Sequence, residues 1–175
     1  MRRCGYNNGV EFVLREFRRE DFDSLWRIDQ ECFAPGIAYS RLELAAYIRL
    51  RGAFTLVAAP RPGQRQSPVD KTGTVKEVPS KVLGFIVAQA KRGGAGHILT
   101  IDVPDSNRRL GIGSKLLATA EDRMRAAPCH CVVLETAVDN AVALAFYKRN
   151  HYNVVKTIPR YYSNGVDAFV LKKEL

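Results

Sequence analysis

Residues 108–114 read Arg-Arg-Leu-Gly-Ile-Gly-Ser and fall between a strand pattern and a helix pattern. Arg108, Arg109, Leu110, Gly111, Ile112, Gly113 and Ser114 together have the makings of an anion site. Glycines let backbone N–H groups approach an anion closely, and a helix N-terminus adds unpaired donors and partial positive charge. The two arginines add to the attraction, so a pyrophosphate would sit well here; a tight strand-to-helix turn is the plainer use of the same glycines. The spacing is not that of a P-loop, because Gly113-Ser114-Lys115 has the wrong order. It is not a dinucleotide fingerprint either, which needs three glycines in a parallel βαβ unit. Glu135 is a second candidate: a carboxylate in the apolar run Val132-Val133-Leu134 is paired, solvent-facing or functional. Cys129-His130-Cys131 is a poor chelate, with one intervening residue and no second ligand pair, so no metal is expected.

The elements that must position these groups follow from periodicity. Residues 11–15 read as a strand. Leu25, Ile28 and Cys32 share one face of a helix that opens near Arg19. Ser40 and Glu43 form a capping box for a second helix running toward Leu50. Residues 53–59 and 82–88 read as strands, and Gly93-Gly94 turns the second of these into a hairpin with residues 95–103. Ile112, Leu116, Leu117, Ala120 and Met124 recur on one helical face, which Pro128 stops. Residues 131–137 form a strand, Asp139 or Asn140 caps a helix to about Arg149, and residues 153–158 and 166–172 are the last strands. The order β-α-α-β-β-β-α-β-α-β-β predicts one mixed α/β domain over residues 11–175. Its sheet should be mainly antiparallel and flanked by helices, with loose segments at 1–10 and 60–80.

Arg108-x-x-Gly111-x-Gly113 between strand and helix resembles the acetyl-CoA pyrophosphate loop of the GNAT acetyltransferases. Leu134-Glu135-Thr136-Ala137-Val138-Asp139-Asn140 and the following Ala-rich stretch to Phe146-Tyr147 resemble that superfamily's strand–Asn–helix–Tyr segment. Tyr161-Tyr162 followed by Asp167-Ala168 is similar to the tail of its N-terminal protein acetyltransferases, including the ribosomal-protein-alanine enzymes. The resemblance implies the GNAT fold and acetyl-CoA as cosubstrate. It makes Glu135 the general base, often acting through water, and Tyr147, twelve residues on, the general acid for the CoA thiolate. His97 stands where some relatives carry a tyrosine that manages the acceptor's proton. The backbone of Ile101, Asp102 and Val103 would face the pantetheine arm, with the Val103 N–H as oxyanion donor. Asn140 would contact CoA while capping its helix, and Tyr161 and Tyr162 would lie over the acceptor peptide. Three stretches depart from the family: Asn150-His151-Tyr152 for a Gly-Phe, Ser106-Asn107 for an Asp-Tyr, and Ile101-Asp102-Val103 for an apolar-Ala-Val. The last alters the acceptor side.

The chain has 175 residues, 46% of them hydrophobic and 26% charged, as in an ordinary globular domain. No stretch approaches the ~20 apolar residues of a membrane span, and the N-terminus lacks an apolar run after its arginines, so a cytoplasmic protein is expected. The net charge of +9 favours anionic partners. The basic residues are scattered rather than clustered with aromatics, so direct nucleic-acid binding is not expected. The leading expectation is acetyl transfer from acetyl-CoA to the α-amine of a protein N-terminus, with a ribosomal protein among the candidate acceptors. A lysine or small-amine acetyltransferase and a non-catalytic acyl-CoA sensor are the alternatives.

Overall fold

Leu56-Val57-Ala58 and Phe85-Ile86-Val87 are apolar runs buried on both faces, which only the middle of a sheet covered by helices on each side can satisfy. The computed structural model describes residues 11–61, 81–91 and 93–175. Its strands are β1 (Phe12–Glu16), β2 (Ala53–Pro60), β3 (Gly84–Gln89), β4 (Ala95–Asp102), β5 (Cys131–Ala137), β6 (Asn153–Ile158) and β7 (Ala168–Glu174). Its helices are α1 (Phe22–Cys32), α2 (Arg41–Ile48), α3 (Ile112–Ala126) and α4 (Ala141–Arg149). The strands form one sheet in the order β1-β2-β3-β4-β5-β7-β6. Every neighbouring pair is antiparallel except β4 with β5.

The two layers of helix split the core. On one face Leu25 and Ile28 of α1 and Leu44 of α2 pack against Val57, Phe85 and Val87. On the other, Leu116, Leu117, Ala120 and Met124 of α3 and Tyr147 of α4 pack against Ile86, Ile98, Val132 and Leu134. The α1–α2 layer covers β2, β3 and β4.

The expected element order and fold class are those observed. Ser40 accepts from the Glu43 N–H at 3.2 Å while Glu43 Oε2 accepts from the Ser40 N–H at 2.8 Å, so the capping box closes. Two boundaries moved. The opening of the first helix is a 3₁₀ turn over Arg19–Asp21, where the Asp21 carboxylate is taken up by Arg15. The loop expected from residue 60 begins later: Pro60 pairs with Phe12 in the ladder and the Arg61 N–H donates to the Glu11 carbonyl at 3.1 Å. The readings of residues 1–10 and 62–80 lie outside the described residues.

Asp29 fixes the turn between α1 and α2. It is fully buried, and its Oδ2 accepts from the Tyr39 N–H at 2.8 Å and from Gln30 Nε2 at 3.0 Å. The Tyr39 hydroxyl donates to the Leu99 carbonyl at 3.0 Å, so the end of this turn is pinned to β4. Leu99 is the extra residue of a bulge: Val87 faces Thr100 while Ala88 faces Ile98.

Two predictions concern this scaffold. A Cβ on Gly84 would lie 2.8 Å from the Asp102 carbonyl and 3.0 Å from Val103 Cγ2. Because backbone cannot yield as a side chain can, Gly84→Ala should cost roughly 1–3 kcal/mol, seen as a lower urea midpoint at unchanged slope. The second concerns pH. Burial raises the Asp29 carboxyl to about 6, against the lowering effect of its bonds from Tyr39 and Gln30. Its unfolded value is about 3.9. Between these limits the folded chain holds the extra proton, so stability falls as pH rises. Urea titrations of Asp29→Asn should therefore show its stability gaining on the parent chain from pH ~4 to ~6 and levelling above that.

Candidate active site

The candidate site residues gather where β4 and β5 separate. They pair in parallel for three positions only, Ala95 with Cys131, Gly96 with Val132 and His97 with Val133. Beyond His97 the strands diverge, and a gap opens in the middle of the sheet between residues 98–102 and 134–137. Backbone groups lining such a gap lack ladder partners and can serve a ligand instead.

His97 and Glu135 sit at the point of divergence. Val132 and Leu134 belong to the α3–α4 core, so alternation turns Glu135 to the α1–α2 face. A Cβ on Gly96 would run into Met124 of α3, so its neighbour His97 takes the α1–α2 face as well. His97 Nε2 lies 2.7 Å from Glu135 Oε2, with the side chains 27% and 19% exposed. A carboxylate only accepts, so beside an ionised Glu135 this bond needs the His97 tautomer with its hydrogen on Nε2. The sequence named both residues but not their pairing, which depends on the parallel register of β4 and β5.

Tyr147 reaches the gap from the opposite layer. It is 5% exposed, with its ring 5.2 Å from Phe146 and 5.5 Å from Tyr152. The Tyr152 hydroxyl donates to Glu121 Oε1 at 2.9 Å, and Lys173 Nζ donates to Glu121 Oε2 at 2.6 Å. This buried chain ties the tyrosine to α3 and β7. Burial, then the charges of Asp102 and Tyr162, push the Tyr147 hydroxyl well above the ordinary phenol range. It is therefore a hydrogen-bond donor at neutral pH.

Asp102 ends β4. Its partner Phe85 packs with α1, so antiparallel register puts Asp102 on that face too. Burial pushes its carboxyl well above the usual range, against the bond from Thr100 Oγ1 to its Oδ1. Ile101 points the other way, against the α3–α4 core. The Val103 carbonyl accepts from Arg108 Nε at 3.0 Å, and Arg108 also pairs with Asp105. Arg108 thus braces the loop while its side chain stays 39% exposed.

The loop itself has the conformation that the glycines suggested. Arg109 and Gly111 both have positive φ, 62° and 80°, and a non-glycine residue there stores strain of the kind that gathers at ligand sites. Leu110 packs beside the core. A Cβ on Gly111 would meet nothing within 4 Å, so internal packing does not explain that glycine. The N–H groups of Ile112, Gly113 and Ser114 begin α3 without intrahelical acceptors. Asn140 caps α4 by accepting from the Ala143 N–H at 3.1 Å, which uses only its side-chain oxygen. Strained loop, open helix terminus and parted strands fit a long, pyrophosphate-bearing acyl donor.

On the α1–α2 side two loops meet over the gap. Ser163 Oγ donates to the Gly36 carbonyl at 2.9 Å, joining the β6–β7 loop to the α1–α2 loop. Tyr161 and Tyr162 stand edge to face at 5.0 Å, and Tyr39 and Tyr47 lie 4.8 Å apart. Burial raises the Tyr161 hydroxyl, with Glu135 and Tyr47 adding to it, so the two tyrosine pairs and the carboxylate share one neighbourhood. Tyr39 and Tyr47 were missed in the sequence; their spacing of eight residues across a helix cap carries no signal of a shared wall.

The chain matches the Acetyltransferase (GNAT) family over residues 15–152. It is 31% identical over 163 residues to an uncharacterized N-acetyltransferase of Methanocaldococcus jannaschii, covering 93% of this chain and 91% of that one. An N-alpha-acetyltransferase of Sulfurisphaera tokodaii is 32% identical over 113 residues, or 58% of this chain and 68% of the relative. Among solved structures, a chain of the NatC complex bound to Gag peptide and CoA superposes with a TM-score of 0.71 at 27% identity, covering 94% of this chain and 99% of the other. With its gapped sheet, its glycine loop and these relatives, the protein belongs to the GNAT family of acetyltransferases.

Proposed function

We propose that this acetyltransferase moves the acetyl group of acetyl-CoA to the α-amine of a peptide or protein N-terminus. The observation that carries the reading is the roof of joined loops and tyrosines over the Glu135–His97 pair. Aromatic walls of this kind suit the free end of a chain. The names of the relatives agree: one acts on α-amines and another is seen with peptide and CoA bound.

Each residue then has a task. The N–H groups at the start of α3 hold the pyrophosphate, and Asn140 and the backbone of residues 101–103 receive the rest of the donor. The acceptor arrives as an ammonium. The Glu135–His97 pair takes its proton, directly or through a water, which frees the nitrogen lone pair. As the amine nitrogen bonds to the acetyl carbon, the carbon–sulfur bond breaks and the electron pair leaves on sulfur; the second proton that nitrogen must shed passes through water to the thiolate, which ends as the CoA thiol. Tyr147 steadies the departing thiolate. A phenol held above its usual range is a reluctant acid, so its main service is a hydrogen bond from its hydroxyl, with proton return following more slowly. In this reading the Val103 N–H serves the carbonyl oxygen during attack. A ribosomal protein is one acceptor class that this reading admits, in the cytoplasm.

The test is CoA-thiol release from acetyl-CoA with three acceptor sets: peptides with varied free N-termini, the same peptides N-blocked with an internal lysine, and small amines. Turnover confined to free N-termini is expected. Glu135→Gln and Tyr147→Phe should each lower kcat by roughly 10²-fold or more with acetyl-CoA binding retained. Turnover confined to lysine or small amines would reassign the acceptor, and binding of acetyl-CoA with no turnover would make the chain a sensor.

A further inference from the structure

Buried polar side-chain atoms in native folds nearly all find hydrogen-bond partners. Among the described residues four do not: Trp26 Nε1, Asp29 Oδ1, Thr55 Oγ1 and Asp102 Oδ2. Asp102 differs from the others in chemistry and in place. A carboxyl left half-satisfied costs more than an indole or a hydroxyl. Unlike Asp29, whose Oδ2 secures the Tyr39 and Gln30 donors, Asp102 holds no loop in position. Its Oδ1 accepts from the Thr100 hydroxyl two residues back, which sets the rotation of the carboxyl and leaves Oδ2 unused.

Its place is the gap. Asp102 is the last residue of β4, past the point where β4 and β5 part, and it faces the α1–α2 layer as Glu135 does. Asp102 is among the groups that raise the hydroxyls of Tyr147 and Tyr39. Tyr147 thus senses the carboxyl on β4, while Tyr162, which also acts on Tyr147, senses Glu135 on β5. The groups that act on Asp102 itself are the Thr100 hydroxyl and a second carboxyl, Asp29; neither is a cation. Arg108, which acts together with Asp102 on the Cys32 thiol, is engaged with Val103 and Asp105.

We propose that Oδ2 of Asp102 receives the ammonium group of the acceptor, so that Asp102 and Glu135 form the two walls between which the amine is held. The proposal rests on the reading of the protein as an acetyltransferase for amines. An ammonium brings both missing elements, a positive charge and N–H donors, and such a pair offsets the desolvation of each ion only when both arrive. The apo fold therefore carries the cost of an unpartnered carboxyl, which is where folds break the rule of polar satisfaction for the sake of function. Once bound to Asp102 the ammonium still has to lose a proton to the Glu135–His97 pair, so the two carboxyls divide the work: Asp102 binds and Glu135 deprotonates.

The test uses Asp102→Asn, which keeps the shape, and Asp102→Ala as a second variant. The acceptor is whichever amine the parent chain turns over fastest among free N-termini, lysine peptides and small amines. The acceptor KM should rise roughly tenfold to a hundredfold, the worth of a charge-assisted bond, with the acetyl-CoA KM unchanged. The desamino analogue of that acceptor, which has no ammonium, should inhibit the parent chain and the variants equally. An unchanged acceptor KM, or weakening of the desamino analogue by the same factor as the amine, overturns the proposal, as does a fall in melting temperature with both KM values raised. A parent chain that turns over no amine at all overturns the acetyltransferase reading itself, a result separate from these.

Discussion

The parting of β4 from β5 is the constraint on which the rest of the molecule depends. Two parallel strands that stopped pairing in the middle of a sheet would leave bare backbone in the core. Here that backbone is the wall of a cleft open to both helical layers. The candidate residues come from both sides of it: His97, Glu135 and Asp102 face α1 and α2, and Tyr147 enters from α4. The glycine loop and the start of α3 follow directly from the end of β4. A sheet paired along its full length would have closed the cleft and buried these groups against one another.

Holding a cleft open takes bracing, and the polar interior supplies it. Tyr147 is wedged between two aromatic rings, and the outer one is anchored through Glu121 to Lys173. Asp29 holds the end of the α1–α2 turn, and Tyr39 fastens that turn to the bulge at Leu99. Arg108 bonds the carbonyl of Val103 and so stiffens the loop that follows. These contacts hold still the elements that carry the reacting groups, and groups held still before the reaction need no reorganisation during it.

Much of this was legible in the sequence where the signal is local. The capping box at Ser40 and Glu43, the Asn140 cap, the helical stripe of α3 and the glycines at 111 and 113 are each set by neighbours a few residues apart. The order of elements followed from such signals, and the family from several motifs in series. What the sequence hid depends on partners far along the chain. His97 and Glu135 are 38 residues apart and meet only because β4 and β5 run parallel for three positions. Gly36 and Ser163 are 127 residues apart. Arg108 suits a ligand contact by type and position, and spacing alone does not show that its Nε also bonds a carbonyl five residues back. Asp102 registered as a backbone contact to the pantetheine arm and as a departure from a pattern; the burial of its side chain and the oxygen without a partner were not legible.

The strand order has a consequence for how the molecule comes into being. β7 follows β6 in the chain but lies between β6 and β5. During synthesis β5 and β6 leave the ribosome without a common neighbour, each with an open edge, and neither can be completed until residues 168–174 arrive to slot between them. The same segment brings Lys173 to Glu121 and so steadies Tyr147. The cleft is thus among the last features to form, and a nascent chain stalled before β7 would expose two strand edges prone to sticking to other chains.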